Sequence, residues 1–481
     1  MTAKQRLGWT LGPILFLVTL MVPPPGGMEP EAWRVAGLGL LMATWWMTET
    51  LPIPVTALLP LPLLPLLGVG TVDEAAAPFA NPIIFLFMGG FMLAKAMERW
   101  DLHRRMALAI ILRSGTRRPR LVAGFMAATA FLSMWVSNTA VAVMMLPIGL
   151  SVIRVVRAGK PRDAGPPEDS FDVALLLGIA YAASIGGVAT LIGTPPNALL
   201  AGFMADEYGI DLGFAQWMLV GLPVTLILLP LTWLLLTQVL FRVGPDSEGS
   251  DASAGLMGLR QELGTIRSPE RRVAWVFGLT ALAWISRPLL SNWIPGLSDA
   301  GIAIAATVVL FSLPAGGDND GPVLNWEWAR KIPWGILLLF GGGLSLAGAI
   351  TRSGLAVWIG EALTVAGAMP FALLLLLVAV VIVFLTEITS NTATAAAFIP
   401  ILAGLAVALG HDPLLFTVIA ALAASCAFML PVATPPNAVV FGSGAIRMEE
   451  MVKAGFLLNL LVIVLTPLVA YLALQAFFGL G

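Results

Sequence analysis

Apolar residues run through this chain in long uninterrupted blocks, not in the alternation of a strand or the one-sided stripe of a soluble helix. Blocks punctuated by turns or charges lie near 8–22, 32–48, 51–68, 82–110, 121–153, 172–206, 213–241, 273–290, 299–313, 333–364, 368–409, 413–443 and 455–479. A transmembrane helix needs about 20 such residues to cover ~30 Å of hydrocarbon, so most blocks predict one crossing each. Two do not. Block 121–153 has no charge and is flanked by Arg113, Arg117, Arg118 and Arg120 on one side and Arg154, Arg157, Lys160 and Arg162 on the other. One crossing would place a basic cluster outside, against the positive-inside rule, and two crossings need about 40 residues. A re-entrant hairpin satisfies both limits, with its tip near Ser137-Asn138-Thr139. Block 368–409 reads as a second hairpin, entering from the outer side.

This leaves eleven crossings, with the N-terminus cytoplasmic and the C-terminus outside. Of the 26 Lys and Arg residues, only Arg34, Lys95, Arg287 and Arg352 then fall away from predicted cytoplasmic segments. The polar insert 243–271 reads as a cytoplasmic linker between halves. The expected division is 1–112, first-repeat scaffold helices; 113–242, a first transport part with the inner hairpin; the linker; 272–365, second-repeat scaffold helices; and 366–481, a second transport part with the outer hairpin.

Composition agrees: 58% of the 481 residues are hydrophobic and 11% charged, against roughly 45–50% and 25% in soluble domains. The runs are continuous, which argues against an outer-membrane barrel. A net charge of −2 gives no basic field for nucleic acid. One cysteine, Cys426, and two distant histidines, His103 and His411, exclude an internal disulfide and leave almost no room for a catalytic metal.

Self-comparison then adds the chemistry. Ser137-Asn138-Thr139-Ala140 recurs as Ser390-Asn391-Thr392-Ala393 at an offset of 253, and Thr194-Pro195-Pro196-Asn197-Ala198 recurs as Thr434-Pro435-Pro436-Asn437-Ala438 at an offset of 240. The difference is assigned to the polar loop near 158–171. Five crossings separate the hairpins, so the halves are inverted, the sequence signature of a secondary transporter with its site at the repeat interface. A lone Ser-Asn-Thr is usually a helix cap and a lone Thr-Pro-Pro a kink. Duplicated in order within apolar blocks, they predict four helix starts meeting at membrane depth, where irregular backbone survives only inside protein or around a wet cavity. Helix starts attract anions, and freed carbonyls with hydroxyl and amide oxygens suit a hard cation such as sodium.

These motifs, together with Trp46-Met47-Thr48-Glu49-Thr50-Leu51-Pro52, resemble the divalent anion/sodium symporter family of dicarboxylate and citrate carriers. The resemblance spans nearly the whole chain. It implies an all-α homodimer working as an elevator, with two or more sodium ions as coupling ions. One sodium site would use Ser133, Ser137, Asn138 and the Gly193 carbonyl. The second would use Thr386, Asn391 and the carbonyls of Thr389 and Ala433. Substrate carboxylates would meet Asn138, Thr139, Thr194, Asn391, Thr392 and Thr434.

The expected function is sodium-driven symport of C4 dicarboxylates such as succinate, malate and fumarate across a bacterial inner membrane. A sodium-independent exchanger or a citrate or sulfate carrier of the same architecture fits the same residues. An anion channel would use the same helix ends without saturating. A membrane enzyme would need an acid pair, a Ser/His dyad or a metal cluster, and Glu387 is the one acid near the breaks. Its counterpart is Met134, so symmetry does not require it as a ligand. Glu49 reads as solvated near a helix end or paired with a neighbour, Lys95 and Arg352 as snorkelling, and Gly341-Gly342-Gly343 as close helix packing, since no Lys-Ser/Thr follows.

Overall fold

In hydrocarbon a helix meets the hydrogen-bonding needs of its own backbone, and helices make up nearly all of the computed structural model, which describes residues 2–115, 117–158, 170–244, 250–316, 319–362 and 369–479. Among the described residues, eight helices are long and apolar enough to cross a bilayer, from Val72–Arg99 to Met448–Phe478. The chain is a multi-pass helical membrane protein. A two-stranded antiparallel hairpin, Pro314–Gly316 with Asn319–Pro322, joins two of the helices.

Several apolar blocks are not single rods. Block 51–68 forms two short helices, Ile53–Thr56 and Pro60–Leu66, because its prolines remove backbone donors and clash with the preceding turn. Block 82–110 divides into Pro82–Arg99 and Leu102–Ser114, with Asp101 between them in the left-handed region at φ 55°. Block 333–364 divides at Gly354, φ 76°, into Trp334–Arg352 and Leu355–Ala362. The linker also departs from a plain polar loop: Ser250–Leu263 is helical. Leu256, Leu259 and Leu263 recur at helical spacing, and the helix packs on Asn138–Ala158 and Leu102–Ser114. Residues 245–249 of the linker, most of the loop near 158–171 and the expected division at 365/366 lie outside the described residues.

The two halves pair element by element. Arg118–Ser133 and Asn138–Ala158 flank a first tip at 134–137, and Phe371–Thr386 and Asn391–Ala408 flank a second tip at 387–390. Ser170–Val188 and Pro195–Tyr208 flank a first break at 189–194, and Pro413–Ala424 and Pro435–Phe441 flank a second break at 425–434. Contacts between halves are reciprocal. Pro195–Tyr208 packs on Asn391–Ala408 and Pro413–Ala424, and Pro435–Phe441 packs on Asn138–Ala158 and Ser170–Val188. Each half therefore completes the other's core.

Ser170–Val188 is the most enclosed element. Every residue from Phe171 to Val188 is buried, and the helix is wrapped by Arg118–Ser133, Asn138–Ala158, Phe214–Leu234 and Pro435–Phe441. Tyr181 Oη donates to the Met451 carbonyl at 3.2 Å. Close packing is also the role of the triple glycine, since a Cβ at Gly342 would meet the backbone of Ala57. Lys95 does not snorkel freely. It pairs with Glu98 one turn on, while Arg287 reaches Asp211 at 3.0 Å.

Candidate functional site

Both tips and both breaks open on one cavity of about 710 Å³. Of the residues expected at the site, Ser137, Asn138, Thr139, Gly193, Thr194, Thr389, Asn391, Thr392, Ala433 and Thr434 all line it. Ser133 and Thr386 lie one layer behind, fully buried. Ser137 is the residue before the new helix: its carbonyl accepts from Val141 N at 3.1 Å, and its hydroxyl lies 3.4 Å from Ala140 N. Asn138 and Thr139 form the first helical turn, and so do Asn391 and Thr392 after Ser390. First-turn N–H groups have no intrahelical partner, so these two starts present backbone donors. The Thr-Pro-Pro starts differ. Thr194 and Thr434 are extended, with φ −143° and −139°, and proline follows each at two successive positions. Those positions have no N–H to offer, and Pro435–Phe441 is only 7 residues long. Of the four starts read from the sequence, two present N–H donors and two present threonine hydroxyls.

Behind each tip, a hydroxyl, a side-chain amide and main-chain carbonyls converge. Ser133 Oγ lies 2.5 Å from Asn138 Oδ1 and 2.6 Å from the Ala183 carbonyl, and a hydroxyl has one proton. The other end of the same amide, turned inward, would reach Ser133 Oγ at 2.5 Å, the Ala183 carbonyl at 3.1 Å and the Gly193 carbonyl at 3.3 Å. The second half repeats the pattern: Thr386 Oγ1 lies 2.8 Å from Asn391 Oδ1 and 2.9 Å from the Ala424 carbonyl. Converging neutral oxygens of this kind suit a hard monovalent cation.

The profile described as sodium:sulfate symporter transmembrane region matches residues 5–477. The chain belongs to that family. It is 45% identical over 482 residues to the sodium-dependent dicarboxylate transporter SdcS of Staphylococcus saprophyticus, covering 99% of this chain and 92% of that one. The transporter of the same name from Staphylococcus aureus is 44% identical, with coverages of 100% and 93%. Two solved structures share the fold. The YdaH transporter of Alcanivorax borkumensis aligns with TM-score 0.58, 17% identity and coverages of 92% and 98%. MtrF of Neisseria gonorrhoeae aligns with TM-score 0.58, 13% identity and coverages of 100% and 96%.

In this member of the symporter family, several residues of the cavity were not legible beforehand. Thr2, Lys4 and Gln5 at the start of the first helix reach it, as do Thr48 and Glu49, and Glu49 is exposed there as the sequence suggests. Glu49 has φ 50°, and its carbonyl accepts from Gln5 Nε2 at 3.2 Å. Phe87, Phe91, Ile192 and Ile336 supply an apolar wall. The asparagine that ends each Thr-Pro-Pro-Asn motif acts behind the wall. Asn197 Nδ2 lies 2.8 Å from the Thr190 carbonyl and 3.2 Å from that of Val188, and Asn437 Nδ2 reaches the carbonyls of Leu430 and Ala427 at 3.1 and 3.2 Å. Their place inside a doubled motif was the one available signal. Glu387 is buried and directed at the second break instead of lining the cavity.

Proposed function

We propose that the protein is a sodium-coupled symporter of C4 dicarboxylates. One observation carries the reading: two pseudo-equivalent clusters of hydroxyl, amide and carbonyl groups sit directly behind two helix starts that face a shared cavity. Sodium would bind at Ser133, Ser137, Asn138 and Gly193, and again at Thr386, Thr389, Asn391 and Ala433. The substrate carboxylates would meet Asn138, Thr139 and Thr194 from one half and Asn391, Thr392 and Thr434 from the other. Each asparagine belongs to both sets, so cation and anion help to hold each other. The names of relatives at 44–45% identity over the whole chain support the same substrate and ion. The cavity's size falls within the usual range for small-molecule sites.

Several finer features belong to the same proposal. The two tips are re-entrant hairpins among eleven crossings, the N-terminus is cytoplasmic in a bacterial inner membrane, and the chain works as a homodimer. Residues 113–242 and 366–481 form the moving part, 1–112 and 272–365 the scaffold. Because Thr2, Lys4 and Gln5 reach the cavity, the side open here is cytoplasmic.

Uptake of labelled succinate into proteoliposomes tests the function. An inward sodium gradient is expected to drive accumulation above equilibrium, with malate and fumarate competing. Accumulation driven equally well by choline, or only by internal dicarboxylate, would replace symport by exchange.

A further inference from the structure

Glu387 is the feature of the second half that the first half does not mirror. It sits next to Thr386, is 3% exposed, and its counterpart in the first repeat is Met134. Four neutral donors converge on its carboxylate. Phe428 N and Met429 N donate to Oε1 at 2.7 and 2.9 Å, Leu430 N to Oε2 at 3.1 Å, and Asn459 Nδ2 to Oε1 at 2.7 Å. Three successive backbone N–H groups are thus held by one charge, and hydrogen bonds to an ionised acceptor are roughly twice as strong as neutral ones. The restraint continues to the cavity. The Leu430 carbonyl accepts from Ala433 N at 3.1 Å and from Asn437 Nδ2 at 3.1 Å, and Ala433 and Thr434 line the wall.

The first half performs the same task without charge. Thr190, which corresponds to Leu430 at the offset of 240, donates its hydroxyl to the Met134 carbonyl at 2.5 Å. One neutral bond stands where the second half has four bonds to a carboxylate. We propose that Glu387 is a positioning residue for the second cation site alone. It fixes 428–433, including Ala433, whose carbonyl the sodium-coupled reading assigns to that site, and its buried charge next to Thr386 favours a cation there. The two sodium sites are then unequal, the second binding more tightly. The inference rests on the sodium-coupled reading above.

The test uses the purified full-length protein, without substrate, and follows thermal unfolding in sodium chloride against choline chloride alongside the sodium dependence of succinate uptake. Glu387→Gln is expected to raise the sodium concentration needed for half-effect ~10-fold in both measurements, while succinate half-saturation at saturating sodium stays nearly unchanged. Glu387→Asp, which keeps the charge, is expected to restore part of the loss. Asn459→Ala removes one donor in four and is expected to give a shift in the same direction of roughly threefold. If Glu387→Gln does not fold, Asn459→Ala decides, and an unchanged sodium response would overturn the inference. A wild-type protein that sodium does not stabilise would overturn the sodium-coupled reading and this inference with it. A normal wild-type response matched by Glu387→Gln would overturn this inference alone.

Discussion

The Asn138 amide faces three oxygens, and its two ends answer them differently. Turned inward, Nδ2 can donate to Ser133 Oγ and to the carbonyls of Ala183 and Gly193, which quiets the cluster when no cation is there. On the proposed sodium-coupled reading, a cation would turn Oδ1 inward and free Nδ2 toward the cavity for a carboxylate. Asn138→Ala and Asn391→Ala are each expected to abolish concentrative succinate uptake while the purified protein keeps its size-exclusion profile. Near-normal uptake by either at saturating sodium would remove that tip from the site. Gly193 is constrained by space: a Cβ there would lie 2.8 Å from the Gly187 Cα and closer still to its carbonyl oxygen. Gly193→Ala is expected to lower stability by about 1–3 kcal/mol, as overpacking does, readable as a fall in melting temperature. At this scale the sequence was legible where motifs are doubled, as at Ser137, Asn138 and Thr139 and their counterparts Ser390, Asn391 and Thr392. It was silent on Thr190 and Asn459, because each acts through a tertiary contact that no local pattern encodes.

Among the elements, the paired prolines divide the labour of the site. The hairpin starts carry N–H groups, whereas the Thr-Pro-Pro starts carry a hydroxyl in front of two residues that cannot donate. Removing those hydroxyls should therefore weaken substrate binding and leave the backbone shape intact. Thr194→Ala and Thr434→Ala are each expected to raise the half-saturating succinate concentration roughly 10- to 100-fold, the worth of one hydrogen bond to a charged group, with little change in sodium dependence. A matching rise in the sodium concentration required would instead mean that the threonines hold the break itself. The breaks were visible beforehand because proline pairs cannot sit inside a regular helix. The Ser250–Leu263 helix was hidden by its Gly, Ser and Asp content, since its support comes from packing of Leu256 on other elements. The division of block 82–110 at Trp100 and Asp101 was hidden likewise: Arg99 and Trp100 donate to the carbonyls of Pro322 and Val323, more than 200 residues on.

For the molecule as a whole, orientation in the membrane is the property that charge distribution sets. In a Cys426→Ser background, cysteines at the exposed positions Asp73 and Asn292 are expected to react with an impermeant thiol reagent added outside intact cells, and one at exposed Thr265 only after lysis. The reverse pattern would invert the assignment of sides and with it the direction of the open cavity. Overall topology was legible to the extent that the chain repeats itself; the reciprocal contacts between halves were not, because spacing along a chain does not say which helices touch.

The enclosed helix Ser170–Val188 has a consequence for biogenesis. One wall of its enclosure, Pro435–Phe441, lies more than 240 residues later in the chain, and Tyr181 bonds to Met451. A ribosome that has delivered the first half has therefore delivered a helix with one side still bare to lipid, and no sequence of local steps can finish that core before the C-terminal crossings emerge. Synthesis order and assembly order must differ. Cutting the gene within 245–249 and expressing the halves separately should yield two protease-sensitive products, while co-expression should restore a protected, sodium-responsive complex. A first half that resisted protease on its own would show that the enclosure is dispensable for folding.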